Sequence, residues 1–372
     1  MTDDGAAEPS RSPTSRDLDV AEELERFTAR GREIVLRTGV TADRDEWLDC
    51  YNSIFPVDHP GVPEMSKTLW DWKYDPHYSG RREMVVAVEP EAGPRILGAY
   101  PSQAFRVWIG GEERHCGHIT DLMVRHEERR LGPRPGLFVT LGNTFDARYT
   151  GRGTERMPFY YGWPVPAFLM GQKYLNYRIC RDWNPIAGAV PLEPRDRSAE
   201  LEIQILDRDT VESSEFAAEA DALWERLKVV EQCAMVRDAR WWQWRFARHP
   251  LQDYTMIACR ERNTGALRGI AVYTVGDHLR ANTSFLVDWL VARDDVDAVT
   301  SLVAQCEDFT RRDQTGVFAT FLSAADPKSL PVQRLGYQVW NSQWFVVFVS
   351  FGPDIRMARE HWHFTMGESD LV

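Results

Sequence analysis

The segment Asp121-Leu-Met-Val-Arg-His-Glu-Glu-Arg-Arg-Leu-Gly-Pro-Arg-Pro-Gly136 joins an apolar stretch to a helix-forming one through a turn carrying Arg125, Arg129, Arg130 and Arg134. A strand–turn–helix junction of this kind binds anions, because unpaired backbone N–H groups and the positive end of the helix dipole face the ligand. The chemistry implied is capture of a phosphate or diphosphate. A basic surface connector would also account for the residues, but so many guanidiniums at one turn of an acidic chain favour the anion site. Just upstream, His115-Cys116-Gly117-His118 holds two imidazoles that can ligate a metal, without a third ligand at a known spacing. Near the other end, Glu368 and Asp370 place two carboxylates in a short polar segment, where anionic groups can hold a cationic amine.

The elements that must position these residues occur twice. Leu69-Trp70-Asp71-Trp72-Lys73-Tyr74 reappears as Trp241-Trp242-Gln243-Trp244-Arg245-Phe246, Leu97-Gly98-Ala99-Tyr100 is echoed by Gly269-Ile270-Ala271-Val272-Tyr273, Asp121-Leu-Met-Val by Asp288-Trp-Leu-Val, and Tyr174-Leu175-Asn176-Tyr177 by Arg334-Leu335-Gly336-Tyr337. Four echoes in one order imply two copies of one fold. Domain bounds follow: a disordered tail over 1–17, a first domain over 18–193, a polar linker over 194–200 and a second domain over 201–372. In the first copy the pattern predicts a helix over 18–30 and strands over 32–37, 84–88, 96–109 and 112–124. It continues with a helix over 136–148 and a strand over 154–161. The second copy repeats the order, with its long helix starting at Asp297. After Asp288-Trp-Leu-Val it has no glycine and instead Asp294, Asp295 and Asp297, so the expectation is that this copy binds no anionic cofactor.

At 372 residues with 43% apolar content, the chain can fill two ordinary cores. No apolar run resembles a signal peptide or membrane span, which gives the expectation of a cytoplasmic protein without a membrane partner. Six cysteines without any Cys-x-x-Cys pair argue for reduced core residues and against a zinc knuckle. The net charge of −12 supplies no general attraction to nucleic acid.

The segment Met123-Val124-Arg125-His126-Glu127, followed by Arg129-Arg130-Leu131-Gly132, resembles the cofactor motif of the GNAT acyltransferases. In that family a strand ending in a Val-x-Pro-Glu-like phrase leads through Arg/Gln-x-x-Gly-x-Gly/Ala into a helix. Phe159-Tyr160-Tyr161-Gly162-Trp163-Pro164 and Tyr174-Leu175-Asn176-Tyr177 are similar to its later motif. The order of motifs over residues 32–370 looks like the tandem GNAT proteins of bacterial polysaccharide and secondary-metabolite pathways. The resemblance implies a mixed α/β fold (α+β sheets) with two GNAT-like domains in tandem. It implies acetyl-CoA or another acyl-CoA as co-substrate, held by Met123, Val124, Arg129, Arg130, Leu131, Gly132, Arg134 and Gly136. Transfer would run directly to the amine of a small molecule in a ternary complex. Arg134 stands where the family has Gly or Ala, and Pro133 and Pro135 remove two N–H donors, so diphosphate binding must lean on arginine.

The resemblance also makes Asp121 and His118 the candidate bases, and Tyr160, Tyr161 and Tyr174 candidate acids in place of a family tyrosine that this chain replaces with Gly171-Gln172. Trp163, after the strand that lines the acceptor side in the family, is a candidate for stacking on substrate. Two other readings are an aminoacyl-tRNA-dependent transferase of the Fem type, disfavoured by a pI near 5.3, and a GNAT-like protein that binds without catalysing.

Overall fold

The computed structural model describes residues 17–370 except Pro76, Pro94, 164–166 and Ala324. The tail expected over 1–17 lies outside the described residues but for Asp17, and the Pro164 of the later motif lies outside them too. The chain divides into two units, residues 1–103 with 121–148, and 104–120 with 149–372.

The first unit is an antiparallel meander. Strands β1 (Glu23–Ala29), β2 (Arg32–Thr38), β3 (Glu83–Val88) and the first half of β4 (Ile96–Ile109) pair in order. The helix expected over 18–30 is therefore a hairpin strand. Arg30 and Gly31 both adopt positive φ, 52° and 75°, the geometry of the two-residue turn that matches strand twist. Pairing of Phe27 with Ile34 then outweighs local helical propensity. The sequence 112–124, expected as one strand, is interrupted. It forms β5 (Glu112–Ile119), in the second unit, and β6 (Met123–Val124), which returns to β4 through Gly98–Val124 and Ala99–Met123. The helices Arg44–Asn52 and Lys67–Tyr74 cover one face of this sheet, burying Trp47, Tyr51, Trp70 and Tyr74 against Met84, Val86 and Met123.

The second unit contains β7 (Phe159–Gly162), β8 (Arg178–Asp182), β9 (Ile186–Ala189), β10 (Leu201–Leu206), β11 (Cys233–Met235), β12 (Thr255–Glu261), β13 (Leu267–Gly276), β14 (Thr283–Val291), β15 (Val317–Thr320), β16 (Gln338–Val339), β17 (Phe345–Ser350) and β18 (Trp362–His363). Around its first core β5, β7, β17 and β8 lie side by side, with β5 and β7 parallel. Around its second the order is β10-β12-β13-β14-β15-β9-β16, with β14 and β15 parallel. The two sheets exchange strands. β9, which precedes the expected linker, pairs with β15 and β16, while β17, from near the C-terminal end, sits between β7 and β8. The linker is tied down as well: Arg195 donates to Glu307, which is fully buried, at 2.8 Å. The long helix runs Val296–Arg312, capped one residue earlier than expected by Asp295, whose carboxylate accepts from Ala298 N at 3.1 Å.

Beyond β15, Asp326 takes Lys328 Nζ at 3.0 Å and His363 Nδ1 at 2.9 Å, all three buried. Burial alone would raise the Asp326 carboxyl, but Lys328 and His363 outweigh it and hold it well below its ordinary range. Asp326→Asn is expected to cost about 3 to 5 kcal/mol at neutral pH, because the buried Lys328 loses its counter-charge. A carboxyl with a depressed folded-state pKa stabilises fully above its ordinary value of 3.8 and loses that contribution as pH falls. Urea titrations of wild type and variant should therefore differ most at neutral pH and converge in acid; a gap independent of pH would refute the assignment.

Candidate functional site

The arginine-rich turn lies wholly in the first unit. The β6 strand brings the chain back to β4, and Arg125 N donates to Leu97 O at 2.9 Å. Met123, Val124 and Leu131 are buried, so their side chains belong to the core and only their backbone can face a ligand. The four arginines part company. Arg125 is buried, donating from Nε to Ile96 O at 2.8 Å and pairing with Asp49. Arg129 is exposed and reaches Asp58 at 2.6 Å, sharing it with His126. Arg130 and Arg134 are exposed and have no hydrogen bond or ion pair with any described residue.

Gly136 closes the turn at φ +135°, and a Cβ there would lie 2.6 Å from Arg129 O. No other residue type allows that approach. The helix Leu137–Tyr149 follows, and the first amides of a helix have no partner within it. The turn thus offers two open guanidiniums and a helix N-terminus. That set suits a diphosphate even with Pro133 and Pro135 in the loop.

Asp121 occupies the break between β5 and β6 with φ +55°. Its Oδ2 accepts from Lys73 Nζ at 2.7 Å and from Tyr74 hydroxyl at 2.6 Å. An oxygen already holding an ammonium and a phenol is engaged in positioning the break. Its repeat counterpart Asp288 is likewise engaged, accepting from Arg237 and from the Trp241 indole at 2.8 Å each.

The second unit gathers several other sequence-derived candidates. His118 on β5 stacks on Tyr161 at 5.0 Å, meets Trp163 edge-on at 5.1 Å, and places Nε2 3.8 Å from Asp370 Oδ1. The other oxygen of Asp370 accepts from Thr120 Oγ1. Tyr161 donates its hydroxyl to Glu368 O at 2.8 Å. Parallel pairing explains the assembly, since His118 and Tyr161 are register partners on β5 and β7.

Tyr160 points to the opposite face, where its ring packs on Tyr177 and Phe351. Glu368, expected on a polar tail, is fully buried and bonds Arg237 at 2.6 Å. Burial raises its carboxyl above the ordinary value, with Arg237 opposing that effect. Sequence reading missed Thr120, Arg237 and Arg245. No spacing signals a pair such as Arg237 and Glu368, 131 residues apart.

All six cysteines are buried and reduced, and burial pushes the thiols of Cys50 and Cys259 up to about 12. Neither is a nucleophile at neutral pH. His115-Cys116-Gly117-His118 belongs to no group of metal-ligating residues among those described, and no helix among them is long and apolar enough to cross a membrane. At the second copy's equivalent turn, a cavity of about 480 Å³ is lined by Asp294, Asp295 and Asp297 together with Arg226 and Arg268. Arg268 is already paired with Asp295 at 2.7 Å.

No protein-family model matches the chain, and no curated protein matches it in sequence. Solved structures do match in shape. A probable N-acyltransferase from Enterococcus faecalis V583 superposes with a TM-score of 0.60 at 10% identity, covering 88% of this chain and 75% of the other. A GCN5-related N-acetyltransferase from Anabaena variabilis gives 0.58 at 12%, covering 86% and 73%. The N-myristoyltransferase of Saccharomyces cerevisiae, solved with myristoyl-CoA bound, gives 0.52 at 10%, covering 93% and 88%. At such identities the likeness concerns the backbone alone. With its interrupted strand, its arginine turn and its paired mixed sheets, the chain has the fold of the GCN5-related N-acetyltransferases.

Proposed function

We propose that the protein is an acyl-CoA-dependent N-acyltransferase, with acetyl-CoA as donor and the amine of a small molecule as acceptor. The observation that carries this reading is the break at Thr120–Leu122, followed directly by a turn with two open arginines at a helix start. In this reading Arg130 and Arg134 clamp the CoA diphosphate, with Arg129 available once it leaves Asp58. The thioester supplies an acyl carbon open to attack. Asp370, the partly exposed member of the His118 cluster, meets the acceptor ammonium, and His118 beside it accepts the proton that the nitrogen must lose. The C–N bond forms as the C–S bond breaks, and the second proton shed by the acylated nitrogen passes to the departing sulfur, so CoA leaves as the thiol. Buried, unreactive cysteines support direct transfer over an acyl-enzyme. Trp163 gives the acceptor an aromatic wall.

Isothermal titration with acetyl-CoA tests the reading. The expected result is binding at one CoA per chain. Arg129→Ala with Arg130→Ala is expected to weaken it by about 1 to 3 kcal/mol, the scale of lost charge-assisted hydrogen bonds, and adding Arg134→Ala should weaken it further. Unchanged affinity in the triple variant removes the turn from the site; two CoA per chain would show that the second copy also binds.

A further inference from the structure

The segment Trp362–Asp370 crosses the second unit as a strap held by many fastenings. β18 opens it by pairing with β11. Arg237, with no exposed surface, donates Nε to Asp288 Oδ1 at 2.8 Å and Nη2 to both Glu368 Oε1 at 2.6 Å and Thr365 Oγ1 at 3.1 Å. Thr365 Oγ1 in turn donates to Asp288 at 2.9 Å. Arg245, also buried, donates to Gly367 O and Ser369 O, each at 2.9 Å. Gly367 lies so close to Asp288 that a Cβ would fall 2.6 Å from Oδ2. The strap's next residues are Ser369 and Asp370, and Asp370 is the carboxylate beside Thr120 and His118. Burying this many charges is costly unless each is paired in fixed geometry, and here Arg237 is the group that both Asp288 and Glu368 depend on.

We propose that Arg237 is a positioning residue: acting through Glu368 and the strap, it holds Asp370 against His118. The second copy's conserved-in-repeat aspartate, Asp288, then serves as the anchor of a carboxylate that works at the first copy's strand break. The inference rests on the His118 cluster being the acceptor site, but its geometry can be tested without any acceptor.

The test uses the full chain with ring-labelled histidine, following the His118 signals by NMR across pH and the strap amides by hydrogen exchange. Three variants are compared with wild type: Asp370→Asn, Gly367→Ala and Arg237→Met. A neighbouring carboxylate favours the imidazolium, so Asp370→Asn should lower the His118 midpoint. Gly367→Ala leaves every charge in place and forces the strap and the Asp288 side chain apart. It should lower the midpoint in the same direction and speed exchange over 362–370 while β12 to β14 stay protected. Arg237→Met should do the same; where it does not fold, Gly367→Ala decides. Faster strap exchange with an unmoved His118 midpoint would reduce the strap to a structural role, and unchanged exchange would show that it is not held in this way. Absence of CoA binding in the titration above would overturn the acyltransferase reading and leave this result standing.

Discussion

Deletion of residues 200–372 is expected to abolish folding of the remainder, not merely its activity. The reason is the strand exchange. β17 lies between β7 and β8, and its Val346, Val347, Phe348 and Val349 are buried. Each such side chain contributes about 1.5 to 3 kcal/mol by burial, so removing four of them approaches the whole stability of an ordinary domain, about 5 to 15 kcal/mol. The deletion also leaves β7 and β8 with bare edges, which invite aggregation. Conversely, β9 remains in the fragment without β15 and β16, exposing Ile186 and Ala187. Expression of residues 1–199 should give insoluble protein, or soluble protein without a cooperative thermal transition. A soluble fragment with a sharp transition would show that the exchanged strands are dispensable.

The next largest effect is expected at the His118 cluster. Loss of a positioned base costs about 10²- to 10⁴-fold in rate, and His118→Ala should fall in that range on kcat with acetyl-CoA binding retained. Asp370→Asn should lower kcat and also raise the acceptor KM, because the proposed mechanism uses its charge to meet the ammonium. Asp121→Asn behaves differently. Its Oδ2 already accepts from Lys73 and Tyr74, so the expected loss is of stability, about 1.5 to 3 kcal/mol for each hydrogen bond to the carboxylate that is weakened. Steady-state rates beside thermal unfolding separate the two classes. Full activity in His118→Ala, or a folded but inactive Asp121→Asn, would exchange the roles of the two residues.

Much of this was legible in the linear pattern. The repeated order of Trp-rich helix, strand pair, Asp-x-x-Val and closing tyrosine specified two mixed sheets, because hydrophobic periodicity and turn residues act over a few positions and leave a local trace. The Gly132 to Gly136 turn was legible for the same reason, since its backbone conformation selects residue type directly. The strand at 23–29 was not, because its Glu-rich sequence is neutral between helix and strand and only pairing with β2 decides between them. Nor could spacing separate Arg130 and Arg134, open to a ligand, from Arg125, which is buried against Ile96 and Asp49. Glu368 and Asp370 are two positions apart and look alike in sequence, yet one is sealed against Arg237 and the other faces His118. The sequence alone determined the fold class and the glycine-closed, arginine-bearing turn, both of which rest on contacts between near neighbours. The exchange of β9 and β17, the burial of Glu368 and the meeting of His118 with Asp370 rest on contacts between residues far apart in the chain, and only the tertiary structure decided them.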